Sequence, residues 1–289
     1  MKADGAAMQR RVLTFMQAAP LAAILIVFLL LPMCVIVVVS FFDYNSVQII
    51  PAFEFTNYTD ALASSVTWET YLNTLRYTLI VWAVTTVLGF IVAYVLAFEI
   101  RSRTAQLVLF LVCTVPFLTS NIIRMISWIP FLGREGLLNS TLIKLGLIHQ
   151  PLEFLLFSDF AVVLAYTHLY TLFMVTPIFN TMMRIDRRLL EAAIDGGAGW
   201  GRTLTTVIIP LSKSGIAIGS IFVVTMVMGD FITVRLMSGG QRSSVGLMIS
   251  NQISSLQYPA ACANAVVLLS VVLIMIAAIL RIVDIRKEL

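Results

Sequence analysis

Charge is what this chain has least of. Among 289 residues only 15 are Asp or Glu and 19 are Lys or Arg, a charged share roughly half that of a soluble domain. That scarcity excludes an ordinary water-soluble fold. Histidine is almost missing, with His149 in a loop and His168 in an apolar run as the pair, and Cys34, Cys113 and Cys262 stand far apart inside apolar stretches. No disulfide framework or metal-ligand spacing follows, so no metal site is expected and the cysteines read as small buried hydrophobes. No G-x-x-x-x-G-K-[ST] run is present, so no nucleotide loop of that kind is expected on this chain. The net charge of +4 lacks the Lys/Arg stripe interleaved with aromatics that nucleic-acid binding uses. Without clustered His, Cys and carboxylates, a membrane-embedded enzyme has little chemistry to work with.

What the chain has is apolar length. Hydrophobic residues make up 60% of it and the mean hydropathy is +0.97, the composition of an all-α integral membrane protein. A bilayer core takes roughly 20 apolar residues per helix. Runs of that kind fall at about 20–42, 74–98, 107–131, 159–183, 215–236 and 260–281, which predicts six transmembrane helices in a single membrane domain over 1–289. The first run follows Arg10 and Arg11 as a secretory leader would, but it is too long for a leader's apolar region and reads as a retained span. Pro32 predicts a kink within it.

Basic residues orient the spans. Lys2, Arg10, Arg11, Arg101, Arg103, Arg184, Arg187, Arg188, Arg202, Lys213, Arg281, Arg286 and Lys287 fall on one side, against Arg134, Lys144 and Arg242 on the other. The positive-inside bias makes both termini cytoplasmic, with tails at 1–19 and 282–289 and a long cytoplasmic loop at 184–214. The outer loop 43–73 holds four carboxylates and no Lys or Arg, and GREGLLNSTLIKLGL in the next outer segment has the spacing of a short surface helix.

The loop between spans four and five is far longer than a reconnection needs. Asp186 is placed as an N-cap for RRLLEAAI, and Gly196-Gly197 as its stop. A second helical stretch is expected near Gly201-Arg202, with Pro210 breaking it before the fifth span. Ala192, Ala193, Gly197 and Ala198 leave a thin surface, with Glu191 and the flanking arginines as its charged edges. Two readings follow: a docking knob for another protein, or an interfacial loop without a partner.

The spacing of Glu191-Ala192-Ala193, Gly197, Pro210-Leu211 and Gly215-Ile216 resembles the EAA loop of permease subunits of binding-protein-dependent ABC importers. TPIFNTMMRIDRRLLEAA upstream and GDFIT at 229–233 extend the resemblance towards the spermidine/putrescine-type branch. Gly196, Ser214 and Gly199-Trp200-Gly201 depart from the usual pattern, which leaves the local helix geometry open. The resemblance implies a type I importer permease fold in a bacterial inner membrane, with a coupling helix between helices 4 and 5. On that reading Glu191, Ala192, Ala193, Asp195, Gly197 and Ala198 couple the chain to a homodimeric cytoplasmic ATPase. It also implies a second, different permease subunit and a periplasmic solute-binding protein. ATP and Mg would be bound by the ATPase, with no cofactor on this chain. The implied cargo is a polyamine, with iron(III), thiamine, a phosphonate or an opine-like compound as alternatives. A stand-alone secondary transporter is the rival class, and the chain shows no inverted repeat to favour it.

Polar residues within the spans are the remaining candidates. Arg124 follows Asn121 in the third run, with Trp128 a turn beyond. It reads either as a gate or pathway residue or as an arginine snorkelling near a span end. Asp230, beside Phe231, reads either as a pathway carboxylate for a cationic solute or as a partner for Arg124 or another subunit. His168 reads as a hydrogen-bonded packing residue, and Gly215-x-x-x-Gly219 as a close helix contact.

Overall fold

The computed structural model describes residues 17, 19–45 and 48–283. The basic residues at 2, 10, 11, 286 and 287, on which part of the orientation argument rests, lie outside that range. The chain divides into two compact units, one of residues up to 64 with 251–267 and one of 65–250 with 268 onward.

In the first unit, helix α1 (Ala19–Val39) has no residue of its apolar window buried by this chain. Where a kink at Pro32 was expected, a π-helical turn at Ile26–Leu30 precedes the proline, with the Leu31 N–H reaching back to the Ile26 carbonyl. The wide turn accommodates a residue that lacks an N–H and crowds the preceding carbonyl. Beyond α1, a two-residue antiparallel pair, β1 (Asp43–Tyr44) and β2 (Ile49–Ile50), leads to α2 (Thr56–Ala63). Asn57 donates to the Ser40 and Phe42 carbonyls at 3.1 and 2.8 Å, and Phe41 stacks on Phe53 at 4.9 Å.

The second unit is built on three long helices: α3 (Ser65–Glu99), α8 (Asp159–Met182) and α10 (Trp200–Gly229). Glycines decide how closely they pack. A Cβ on Gly89 would stand 2.7 Å from Met174 Cγ, on Gly215 2.6 Å from the Pro177 carbonyl, and on Gly219 2.6 Å from Met174 Sδ. The Met174–Ile178 segment of α8 is therefore gripped from both sides by bare backbone. Threonines along α3 satisfy themselves in this dry setting: Thr74, Thr78 and Thr85 donate to carbonyls four residues back at 2.7–2.9 Å.

The third apolar run is not the continuous helix expected at 107–131. Helix α4 (Arg103–Leu118) stops, and the chain turns by 90° into α5 (Asn121–Ile126), α6 (Trp128–Leu132) and α7 (Leu137–Lys144). Pro116 tightens the last turn of α4, and Thr119 and Ser120 are extended, so the helical ladder cannot continue. Among the described residues five helices are long and apolar enough to cross a membrane, or six if this bent pair counts as one span. Helix α7 occupies the short helix read from GREGLLNSTLIKLGL.

The expected break at Pro210 is a second correction. Helix α10 runs unbroken from Trp200 through Pro210 to Gly229, because a π-helical turn at Leu204–Ile208 sits directly before the proline. In the widened turn the Ile209 N–H reaches back five residues to the Leu204 carbonyl, which gives the proline ring room and shifts the ladder past its missing donor. Helix α9 (Arg187–Asp195) lies between α8 and α10, and α10 is followed by α11 (Ile232–Met237), α12 (Val245–Ser254) and α13 (Tyr258–Ile282), the last two divided between the units.

Candidate functional site

The elbow between α8 and α10 is assembled by caps. The Asp186 carboxylate accepts the Arg188 N–H at 3.0 Å and opens α9. At its far end the Gly197 N–H reaches the Ile194 carbonyl and the Ala198 N–H the Ala193 carbonyl, both at 2.9 Å, with Gly197 at φ +79°. This pair of bonds is a Schellman stop, and it needs the left-handed residue that glycine supplies. Glu191, Ala192, Asp195 and Gly197 are exposed, while Ala193 and Ala198 are half-buried. Around them Leu189, Ile194 and Trp200 expose 50%, 61% and 67% of their surface, an apolar face unusual beside so many charges.

The elbow is tied to the end of α3. Arg187 donates to the Ala97 carbonyl at 3.0 Å, and the Trp200 indole donates to the Tyr94 hydroxyl at 3.1 Å. Gln106, buried on α4, donates to the carbonyls of Ala97 and Ile100 at 3.1 and 2.8 Å. The π-helical turn Val95–Glu99 ends α3 at this place, and these side chains meet the carbonyls around it. Sequence reading passed over all of these anchors, since an Arg–carbonyl bond spanning 90 residues leaves no local pattern.

A groove of about 900 Å³ runs between the end of α4, α8 and α10. Thr176, Asn180 and Arg184 line it from α8 and the turn that follows, with Leu211, Ser214 and Ile218 facing from α10. Phe117, Phe173 and Phe222 line its far end, with centroid separations of 4.9 Å for Phe117–Phe173 and 6.2 Å for Phe173–Phe222. Sequence reading missed this stripe although its signal was present: 173, 176, 180 and 184 recur at helical spacing, and so do 211, 214, 218 and 222.

Beyond the phenylalanines lie the polar candidates. Asp230 accepts the Tyr170 hydroxyl at 2.6 Å, the Thr233 N–H at 2.8 Å and the Thr233 hydroxyl at 2.8 Å. It caps α11 and fastens that helix to α8. Phe231 lies under Arg235, whose guanidinium carbon is 5.8 Å from the ring centroid. Arg124 is only 9% exposed, donates to Asn121 through Nη2, and lies 5.2 Å over the Phe117 ring. Its Nε and Nη1 have no acceptor. The Trp128 indole donates to His168 Nδ1 at 3.1 Å, so His168 is hydrogen-bonded as expected but exposed and not packed away, and both line a hollow of about 360 Å³ with Arg124. The structure thus places Asn121, Arg124 and Trp128 on α5 and α6, and Asp230 with Phe231 at the start of the helix Ile232–Met237, which packs against α5. Arg124 and Asp230 form no ion pair with each other.

At the end of α8 away from the elbow, Asp159 accepts Tyr77 at 2.6 Å and pairs with Arg242 at 3.0 Å, with Arg76 at 3.9 Å. The groove therefore has a charged tie at one end of its central helix and the elbow at the other.

Residues 85–286 match the family model described as the binding-protein-dependent transport system inner membrane component. The chain is 32% identical over 246 residues to the spermidine/putrescine transport system permease protein PotB of Escherichia coli (strain K12), covering 84% of this chain and 88% of PotB. Among solved structures it resembles a chain of a bacterial ABC transporter involved in the import of the acidic polysaccharide alginate. That match has a TM-score of 0.73 at 18% identity and covers 96% of both chains. A second alginate transporter structure, in complex with an alginate pentasaccharide-bound periplasmic protein, matches with a TM-score of 0.73 at 16% identity over 94% of both chains.

Proposed function

The chain belongs to the binding-protein-dependent transport system inner membrane component family, and from that premise we propose that it forms half of the path of an ATP-driven importer. A second permease subunit supplies the other half, and a periplasmic binding protein delivers a small solute. The likeness to PotB supports a polyamine of the spermidine/putrescine kind as that solute. ATP and Mg belong to a cytoplasmic ATPase pair seated against the elbow, where Glu191, Ala192, Ala193, Asp195, Gly197 and Ala198 meet it. The basic residues at the elbow end, from Arg101 to Lys213, support a cytoplasmic address for that end.

One observation carries the reading. Arg184, Ile185, Asp186 and Leu189 line the mouth of the groove and also belong to the elbow or its root. Two of the three helices that wall the groove, α8 and α10, are the two that the elbow joins. A push on the elbow is therefore a push on the walls, and the exposed apolar side chains of Leu189, Ile194 and Trp200 give a partner something to grip.

The test is reconstitution of the complex with its binding protein in proteoliposomes. Ala192→Trp, which adds bulk at an exposed position, should abolish stimulated ATP hydrolysis while the chain still folds. Stimulation at the unsubstituted level would remove the coupling role. Uptake of radiolabelled spermidine or putrescine tests the cargo separately, and failure to accumulate either would reject the polyamine assignment while leaving the permease intact.

A further inference from the structure

A second hollow, of about 380 Å³, lies beside the elbow and outside the groove's main lining. Four arginines line it: Arg101 and Arg103 from the α3–α4 turn, Arg184 from the end of α8, and Arg187 from α9. Asp186 is the single carboxylate among its lining residues, and that carboxylate is engaged by the Arg188 N–H. Arg103 and Arg187 are the first residues of their helices, so two helix N-termini add their positive ends to the same rim. All four arginines are exposed at the rim, and an anion seated between them would relieve their mutual repulsion.

Polar groups make up most of the lining, Gln106 and Asp186 included, and an apolar strip runs along one side of it. Phe98, Met183 and Ile185 stand beside the guanidinium groups, at the place where α3 and α8 end and α4 begins. Three membrane helices stop or start there, which sets the hollow at the boundary between hydrocarbon and headgroups. A ligand suited to it has a phosphate for the arginines and an acyl chain for the apolar wall. We propose that this hollow binds the headgroup of an anionic phospholipid, and that the bound lipid braces the elbow against the end of α3. Arg187 already donates to the Ala97 carbonyl there, so a phosphate beside it would hold the same side chain from its other face.

The test uses the full chain in its assembled complex, reconstituted in phosphatidylcholine alone or mixed with phosphatidylglycerol. Native mass spectrometry should find phosphatidylglycerol retained, and Arg101→Gln/Arg103→Gln should weaken retention roughly 30-fold, with Arg101→Lys/Arg103→Lys close to the unsubstituted level. Neither pair touches the elbow's bonds to Ala97 or Tyr94. Equal retention by the Gln pair would overturn the proposal. Two further arms guard the assignment. If inorganic phosphate in neutral vesicles displaced phosphatidylglycerol from the site, the lipid assignment would fall in favour of a soluble anion. If the Gln pair lost the ATPase while keeping the lipid, the hollow would belong to the ATPase instead.

Discussion

Arg124 is buried with two of its nitrogens, Nε and Nη1, unanswered, an arrangement that stability alone does not favour. A buried donor without an acceptor costs about 1–3 kcal/mol. Arg124→Met keeps the length over Phe117 and removes the charge, so it should raise the thermal midpoint of the purified chain while lowering transport. A lowered midpoint would identify the arginine as a structural element. Asp230 stands in the opposite position, because three donors converge on it. Asp230→Ala should destabilise by about 1–2 kcal/mol, through the lost cap and the lost tie to Tyr170. Combining it with Tyr170→Phe should cost less than the sum of the two, measurable as a coupling in a double-mutant cycle.

Helix pairing turns on which glycines are pressed and which are free. A Cβ on Gly219 would meet Met174 Sδ at 2.6 Å and both Met174 Cα and the Pro177 ring at 3.2 Å, so even a methyl must displace the thioether and a large side chain has no room. A Cβ on Gly199, by contrast, meets nothing within 4 Å. Gly219→Leu should therefore prevent α8 and α10 from meeting, lowering yield of folded protein, and Gly199→Ala should change stability by about 0.5 kcal/mol or less. Gly197 is a third kind: open space surrounds it, yet φ +79° makes any side chain cost roughly 1–2 kcal/mol. A loss of coupling in a Gly197 variant thus confounds backbone strain with a blocked surface, and Ala192 gives the cleaner experiment. Much of this was legible beforehand. Asp186, Gly196-Gly197 and the Gly215/Gly219 pair announce themselves by type and spacing, because caps and close contacts are local chemistry. The 90° turn after Leu118 was not legible, since Thr119-Ser120 carries no glycine and apolar residues continue beyond it. The unbroken helix through Pro210 was missed for a related reason. Proline marks a lost donor, but whether the chain breaks or widens by one residue is settled by the helices packed around it.

Across the larger unit, the elbow, groove and charged tie share one helix, so their roles are mechanical as well as local. Arg187→Gln would loosen the elbow from the α3 carbonyls without altering its exposed face. Such a complex should bind its ATPase normally and hydrolyse ATP, with fewer solute molecules moved per ATP; an unchanged ratio would place the anchor outside the coupling route. The glycine grip at Met174–Ile178 sets how such a motion scales. At 1.5 Å per residue the helix extends roughly 9 Å from Thr176 to Met182, but about 26 Å from Thr176 back to Asp159. Treated as a rigid rod, α8 is a lever with its fulcrum nearer the elbow. A shift of one ångström at Met182 then swings the Asp159 end nearly threefold farther and in the opposite direction. Narrowing on one side of the fulcrum would then accompany widening on the other, with the helix-interior Pro177 at the fulcrum itself.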